Sequence, residues 1–166
     1  MATITFKGTP TRTSGTLPAP GTEAPDFRLT DEKLQDKGLG DFAGKKKILN
    51  IVPSLDTGVC AASARKFDKE MAKRPQAVCL TISRDLPFAA TRFCKTEGVS
   101  NVVTLSDLRD RSFGRDYGCE ILEGPFAGLL SRALVVLDEE NRVIHCEQVP
   151  EISQEPDYAR ALRALG

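Results

Sequence analysis

Of the five cysteines in this 166-residue chain, Cys60 is the one placed for chemistry. It closes the stretch Pro53-Ser54-Leu55-Asp56-Thr57-Gly58-Val59-Cys60. Ahead of that stretch, Lys45–Lys47 lead into the apolar run Ile48–Val52, short and bounded like a buried strand. Behind it, Ala61–Lys73 reads as a helix, with Ala64, Phe67 and Met71 at helical spacing. Strand, Pro/Gly turn and helix together deliver Cys60 into a first helical turn. Unpaired backbone N–H groups and the positive end of the macrodipole favour an anion there. A sulfur so placed is a nucleophile in its thiolate form. The bland alternative is a buried structural cysteine, the usual fate of a free thiol; a helix start after a turn argues against it.

Other polar residues read less sharply by themselves. Thr57, three residues ahead of Cys60, is a turn or cap residue. Arg132 opens a strand otherwise apolar through Leu137 and reads as an edge charge. Cys94 looks like a helix-face cysteine beside Phe93. Cys79, Cys119 and Cys146 read as small core residues, and no set of cysteines has zinc-like paired spacing. His145 is the one histidine and sits beside Cys146 with no supporting motif, a weak basis for a Cys–His hydrolase. The glycines form neither a dinucleotide fingerprint nor a phosphate loop.

Twenty-three basic and 23 acidic side chains cancel, so no net field recruits nucleic acid or an anionic membrane. Hydrophobic content of 40% and charged content of 28% are ordinary for a soluble globular chain. No apolar run approaches the roughly 20 residues that span a bilayer. The amino terminus lacks the apolar core of a secretory signal, so the expected location is cytoplasmic. An odd number of cysteines without C-x-x-C pairs does not resemble a secreted disulfide framework; a disulfide in such a chain would be catalytic or redox-sensing.

The length suits one domain, 1–166, with a hairpin extension over 1–17. Ala2–Gly8 and Thr11–Thr16 make the arms of that hairpin, with the turn at Gly8-Thr9-Pro10. Phe27–Leu29 is a short strand. Ala77–Ser83 is a second buried strand, and Asp85 N-caps a helix that has Pro87 just inside it and runs to Gly98. Val102–Leu105 is a strand, and Ser112–Tyr117 a short helix ended by Gly118. Arg132–Leu137 and Arg142–Val149 form an antiparallel pair, and a closing helix follows Pro156. Parallel and antiparallel strands with helices on both faces predict a three-layer α/β sandwich.

The spacing of Pro53, Thr57 and Cys60, P-x-x-x-T-x-x-C, resembles that of the peroxiredoxins. The string PSLDTGVCAASARKFD is similar to their thiol peroxidase branch, the atypical two-cysteine type. So are SRDLPFAATRFC (83–94), EGPFAGLLSRALVVLDE (123–139) and EISQEPDY (151–158). The resemblance covers nearly the whole chain. It implies a thioredoxin-like fold with an added amino-terminal β-hairpin, and a homodimer built near the active-site face. It implies reduction of hydrogen peroxide and organic (alkyl) hydroperoxides, with thioredoxin as reductant and no cofactor or metal. Residue by residue, it makes Cys60 the peroxidatic nucleophile, which becomes a sulfenic acid, and Cys94 the resolving thiol of an intramolecular disulfide. Thr57 then orients the peroxide, Arg132 lies against the thiolate, and Pro53 shapes and shields the pocket. Because a disulfide needs Cα atoms within about 4.4–6.8 Å, two cysteines on separate helices require local unwinding. A thiol–disulfide exchanger would carry C-x-x-C, whereas Ala61 and Ala62 follow Cys60. A non-enzymatic redox sensor is the rival from another class.

Overall fold

In the computed structural model, which describes residues 1–166, nine strands form two sheets. Strands β1 (Thr3–Phe6) and β2 (Thr9–Arg12) make a separate hairpin. The large sheet contains β3 (Leu29–Thr30), β4 (Asp36–Lys37), β5 (Lys46–Ile51), β6 (Ala77–Ser83), β7 (Val103–Ser106), β8 (Ala133–Leu137) and β9 (Val143–Gln148), in the order β4-β3-β7-β6-β5-β8-β9. Helices are α1 (Gly58–Met71), α2 (Pro87–Glu97), α3 (Ser112–Asp116) and α4 (Tyr158–Leu165).

The central strand β5 is buried on both faces, and its side chains alternate between two cores. Ile48 packs with Phe67 and Met71 of α1 and Ala161 and Leu165 of α4. Leu49 and Ile51 face the other way, toward Phe27, Leu39, Phe113 and Tyr117. Helices α1, α2 and α4 thus form one outer layer. The opposite layer is thinner than a helical layer: it consists of α3, a 3-10 turn at Leu39–Phe42 and the irregular segment around Phe27. Phe67 is wholly buried between α1 and the sheet, edge-on to Tyr158 of α4; emptying that space would cost about 3–5 kcal/mol. This packing holds α1 against the sheet.

Strand β5 pairs in parallel with β6 and antiparallel with β8. Parallel pairing sets the carboxyl ends of β5 and β6 side by side, with Ile51 opposite Ile82. Antiparallel pairing brings the start of β8 to that same end, with Ile51 opposite Ala133. Chain segments distant in sequence therefore meet at one end of these strands.

Several expected elements are displaced. The hairpin turns at Lys7-Gly8, both at positive φ (50° and 81°), because Phe6 pairs with Thr9. Two-residue turns of that kind match the twist of the strands. Pro10 lies inside β2, where an edge position of a two-stranded sheet needs no backbone donor. The strand expected at Phe27–Leu29 is shifted to Leu29–Thr30, and Phe27 instead fills the core. Gly118 does terminate the α3 turn, at φ 66°; a Cβ there would lie 2.4 Å from the Thr16 carbonyl oxygen. That close approach admits only glycine.

Candidate active site

The turn after β5 is tied by its own polar groups. Thr57 is the N-cap of α1, with extended φ/ψ, and its Oγ1 accepts the Cys60 N–H at 3.3 Å. The helix starts at Gly58, three residues ahead of the expected Ala61, so Cys60 does occupy its first turn. The Thr57 hydroxyl donates its one proton to the Ser54 carbonyl at 3.2 Å. Toward any further partner that oxygen can only accept. Pro53 is buried at the mouth of the strand, and Cys60 itself is 0% exposed.

Arg132 reaches this sulfur from β8. It sits one residue before Ala133, so the antiparallel register that places Ala133 opposite Ile51 carries Arg132 to the start of the turn. Its carbonyl accepts from Val149 N–H and from the Gln148 amide, which fixes the backbone. Nε donates to the Ile152 carbonyl at 2.6 Å, and Nη1 lies 2.9 Å from Cys60 Sγ. The residue is 2% exposed, and no carboxylate lies within ion-pair distance of it. A buried charge demands a partner. The Cys60 sulfur is the side-chain acceptor that the guanidinium reaches. The remaining N–H groups of the fork have no protein acceptor.

Cys94 is held differently. It lies on α2 and is half-buried against the apolar cluster of Val52, Leu55, Cys60, Ala64, Ala90 and Phe93. It also lines a cleft of about 380 Å³, shared with Asp31, Glu32, Ser100 and Thr104, to which Cys60 does not contribute. Both thiols are free, and both helices are intact. Burial, with Glu32 and Asp68 adding, pushes the Cys94 thiol above its ordinary value. The fold brings Cys60, Thr57, Pro53 and Arg132 together and leaves Cys94 on the adjacent helix.

Asp85 corrects one expectation. It is not the N-cap of α2; Leu86 holds that position without a side-chain hydrogen bond. The Asp85 carboxylate turns back to the Cys60 turn, accepting from Ser54 Oγ and from Leu55 N–H, each at 2.8 Å. A short acidic residue ahead of a helix proline resembles a cap, and only the neighbouring β5 loop reveals its other partner. The Ile152 carbonyl, which orients Arg132, was not foreseeable from residue type, because any residue supplies the same backbone oxygen.

The remaining cysteines behave as core. Cys79 and Cys119 are wholly buried, and burial raises both thiols, Cys79 to about 12. Cys146 is half-buried on β9, its thiol raised by burial. His145 lies on β9 opposite Val136, remote in the sheet from the carboxyl end of β5, and its Nε2 has no partner.

A mixed sheet with a cysteine at the mouth of the helix that follows a central strand defines a class, and the chain belongs to the redoxin family, whose model matches residues 19–162. The fold is thioredoxin-like, with peroxiredoxins among its structural neighbours. Within that family the chain is a homologue of the thiol peroxidases, oxidoreductases of the peroxiredoxin type. It is 52% identical over 166 residues to the thiol peroxidase of Mycobacterium bovis, covering all of this chain and 99% of that one. A peroxiredoxin-like protein from Aquifex aeolicus superposes with a TM-score of 0.93 at 35% identity, covering 99% of this chain and 96% of that one. The thiol peroxidase from Chromobacterium violaceum gives 0.91 at 25% identity, covering 98% and 94%.

Proposed function

We propose that this single-domain chain reduces hydrogen peroxide and alkyl hydroperoxides through Cys60, with Cys94 as resolving thiol and thioredoxin as reductant. The observation that carries the reading is the 2.9 Å contact of Arg132 Nη1 with Cys60 Sγ in a buried, carboxylate-free setting. The thiolate attacks the distal peroxide oxygen, the O–O bond breaks, and the leaving oxygen takes a proton and departs as water or alcohol. Cys60 is left as a sulfenic acid. Thr57 Oγ1 accepts the peroxide hydroxyl proton in a hydrogen bond, and the free N–H groups of Arg132 stabilise the charge that grows on the leaving oxygen. Pro53 keeps water from the sulfur. Condensation with Cys94 then forms the disulfide and releases water, and a dithiol reductant restores both thiols.

No helix is long and apolar enough to cross a membrane, which agrees with a cytoplasmic setting. Exposed Leu34, Phe88 and Leu108 line one cleft at the root of α2, beside exposed Leu86 at its N-cap. Exposed apolar side chains grouped in this way support a homodimer, which sedimentation velocity of the reduced protein reads directly.

The deciding experiment couples peroxide consumption to thioredoxin, thioredoxin reductase and NADPH for wild type, Cys60→Ser and Cys94→Ser. The expected result is sustained turnover for wild type and none for Cys60→Ser. Cys94→Ser should reduce one equivalent of peroxide and then stop turning over with thioredoxin. Single-equivalent oxidation of the wild type would mark a redox sensor instead.

A further inference from the structure

The Cys60 turn is fastened by a carboxylate to which the chemistry above assigns no task. Asp85 Oδ1 accepts from Ser54 Oγ, and Oδ2 accepts from Leu55 N–H and from Ser83 Oγ, each at 2.8 Å. Its carbonyl accepts from Ser106 Oγ at 2.6 Å. Ser83 and Ser106 are paired residues at the ends of β6 and β7, so Asp85 fastens the Cys60 turn to the sheet.

From Asp85 the hydrogen bonds continue to the reactive residue. Ser54 Oγ accepts the Asp56 N–H at 3.1 Å, and the Ser54 carbonyl accepts both Thr57 N–H and Thr57 Oγ1. Thr57 Oγ1 in turn accepts the Cys60 N–H. Two residues beyond Asp85, Pro87 begins the helix that carries Cys94. One carboxylate therefore ties the turn before Cys60 to the end of β6, two residues ahead of the Cys94 helix. Hydrogen bonds to an ionised acceptor are among the stronger ones in a protein.

The geometry points to Asp85 as a positioning residue that latches the Cys60 turn in its peroxide-reactive conformation and so sets the fate of the sulfenic acid. This rests on the peroxidase reading above. While the latch holds, Cys60 and Cys94 stay on intact helices and the sulfenic acid waits. A second peroxide then competes, transferring an oxygen to the sulfenic sulfur, giving a sulfinic acid and releasing water or alcohol. When the latch opens, the turn loosens, Cys94 sulfur attacks the sulfenic sulfur, and water leaves as the disulfide forms. A weaker latch slows the first peroxide reaction and protects against the second.

The test uses the full chain and two variants. Asp85→Asn keeps the size but presents an NH2 group to donors that need an acceptor; Ser54→Ala removes one donor without touching the charge. Hydrogen exchange of the reduced protein should show residues 54–60 exchanging roughly 10-fold faster in Asp85→Asn, with kcat/KM for peroxide roughly 10-fold lower. The peroxide concentration that converts half of Cys60 to sulfinic acid during turnover should rise several-fold. Ser54→Ala should move all three in the same direction by less, and it decides the matter if Asp85→Asn does not fold. Unchanged exchange at 54–60 would overturn the latch. So would a fall in kcat/KM with an unmoved over-oxidation threshold, which is the mark of a merely structural role. The exchange arm needs no catalysis, so a wild type without turnover would sink the peroxidase reading while leaving the latch to be judged alone.

Discussion

Cys60 and Arg132 are 72 residues apart in the chain, yet Nη1 of the arginine lies 2.9 Å from the sulfur. The contact exists because β5 and β8 are antiparallel neighbours in register, so residues just beyond Ile51 and just before Ala133 meet. Arg132→Lys keeps a charge but loses the planar fork, which touches the Ile152 carbonyl and the sulfur together. We expect kcat/KM for peroxide to fall roughly 100-fold, in the range for losing a preorganised donor. Near-normal turnover would remove Arg132 from the chemistry.

Thr57 has two duties that substitution can separate. Thr57→Val removes the cap on Cys60 N–H, worth about 1 kcal/mol of stability, and also the acceptor offered to peroxide. Thr57→Ser keeps both. The valine variant is expected to melt lower and react at least roughly 10-fold more slowly, with serine close to wild type in both. A valine variant that lost stability but kept its rate would confine Thr57 to capping.

The burial that pushes Cys94 above its ordinary 9.0 makes its thiolate scarce at neutral pH while α2 is folded. Disulfide formation from the sulfenic acid should therefore accelerate with rising pH above neutrality and still be rising at pH 9, as stopped-flow fluorescence or quench mass spectrometry would record. A plateau reached by pH 7 would mean that helix opening, not thiol ionisation, limits the step. Hydrogen exchange should also show lower protection around Cys60 and along α2 in the disulfide form than in the dithiol form; equal protection would contradict unwinding.

Glu151 fastens the amino-terminal hairpin to the segment that orients Arg132. Its carboxylate accepts from Ser153 Oγ and N–H, from Gly8 N–H and from Thr5 Oγ1, and these bonds, led by those of Ser153, hold it down at about 2. A carboxyl depressed on folding contributes stability that is complete above its ordinary 4.5 and is lost as pH falls to about 2. Wild type should thus melt above Glu151→Gln at pH 6, with the gap closing between pH 4.5 and pH 2. A gap that stayed constant over that interval would show the carboxylate to be a bystander.

What could be read from the chain alone was whatever short stretches decide for themselves. The run Ile48–Val52, the Pro/Gly turn and the alanine-rich helix carry their own periodicity and capping, and these alone place Cys60 in a first helical turn. The hairpin of β8 and β9, the proline start of α2 and the glycine ends of α2 and α3 are local in the same sense. Within the chain's own pattern Arg132 was an edge charge and Asp85 a helix cap; resemblance to a family, not spacing, marked the arginine and Cys94.

Only the assembled sheet decided which polar groups meet. Parallel pairing of β5 with β6 set Asp85 beside Ser54 and Leu55, and antiparallel pairing with β8 brought in Arg132. A carboxylate takes whichever donors come within hydrogen-bond range, and a buried guanidinium takes whichever acceptors do. Those partners are chosen by strand order and register, which are contacts between segments far apart in sequence and leave no mark in the neighbouring residues.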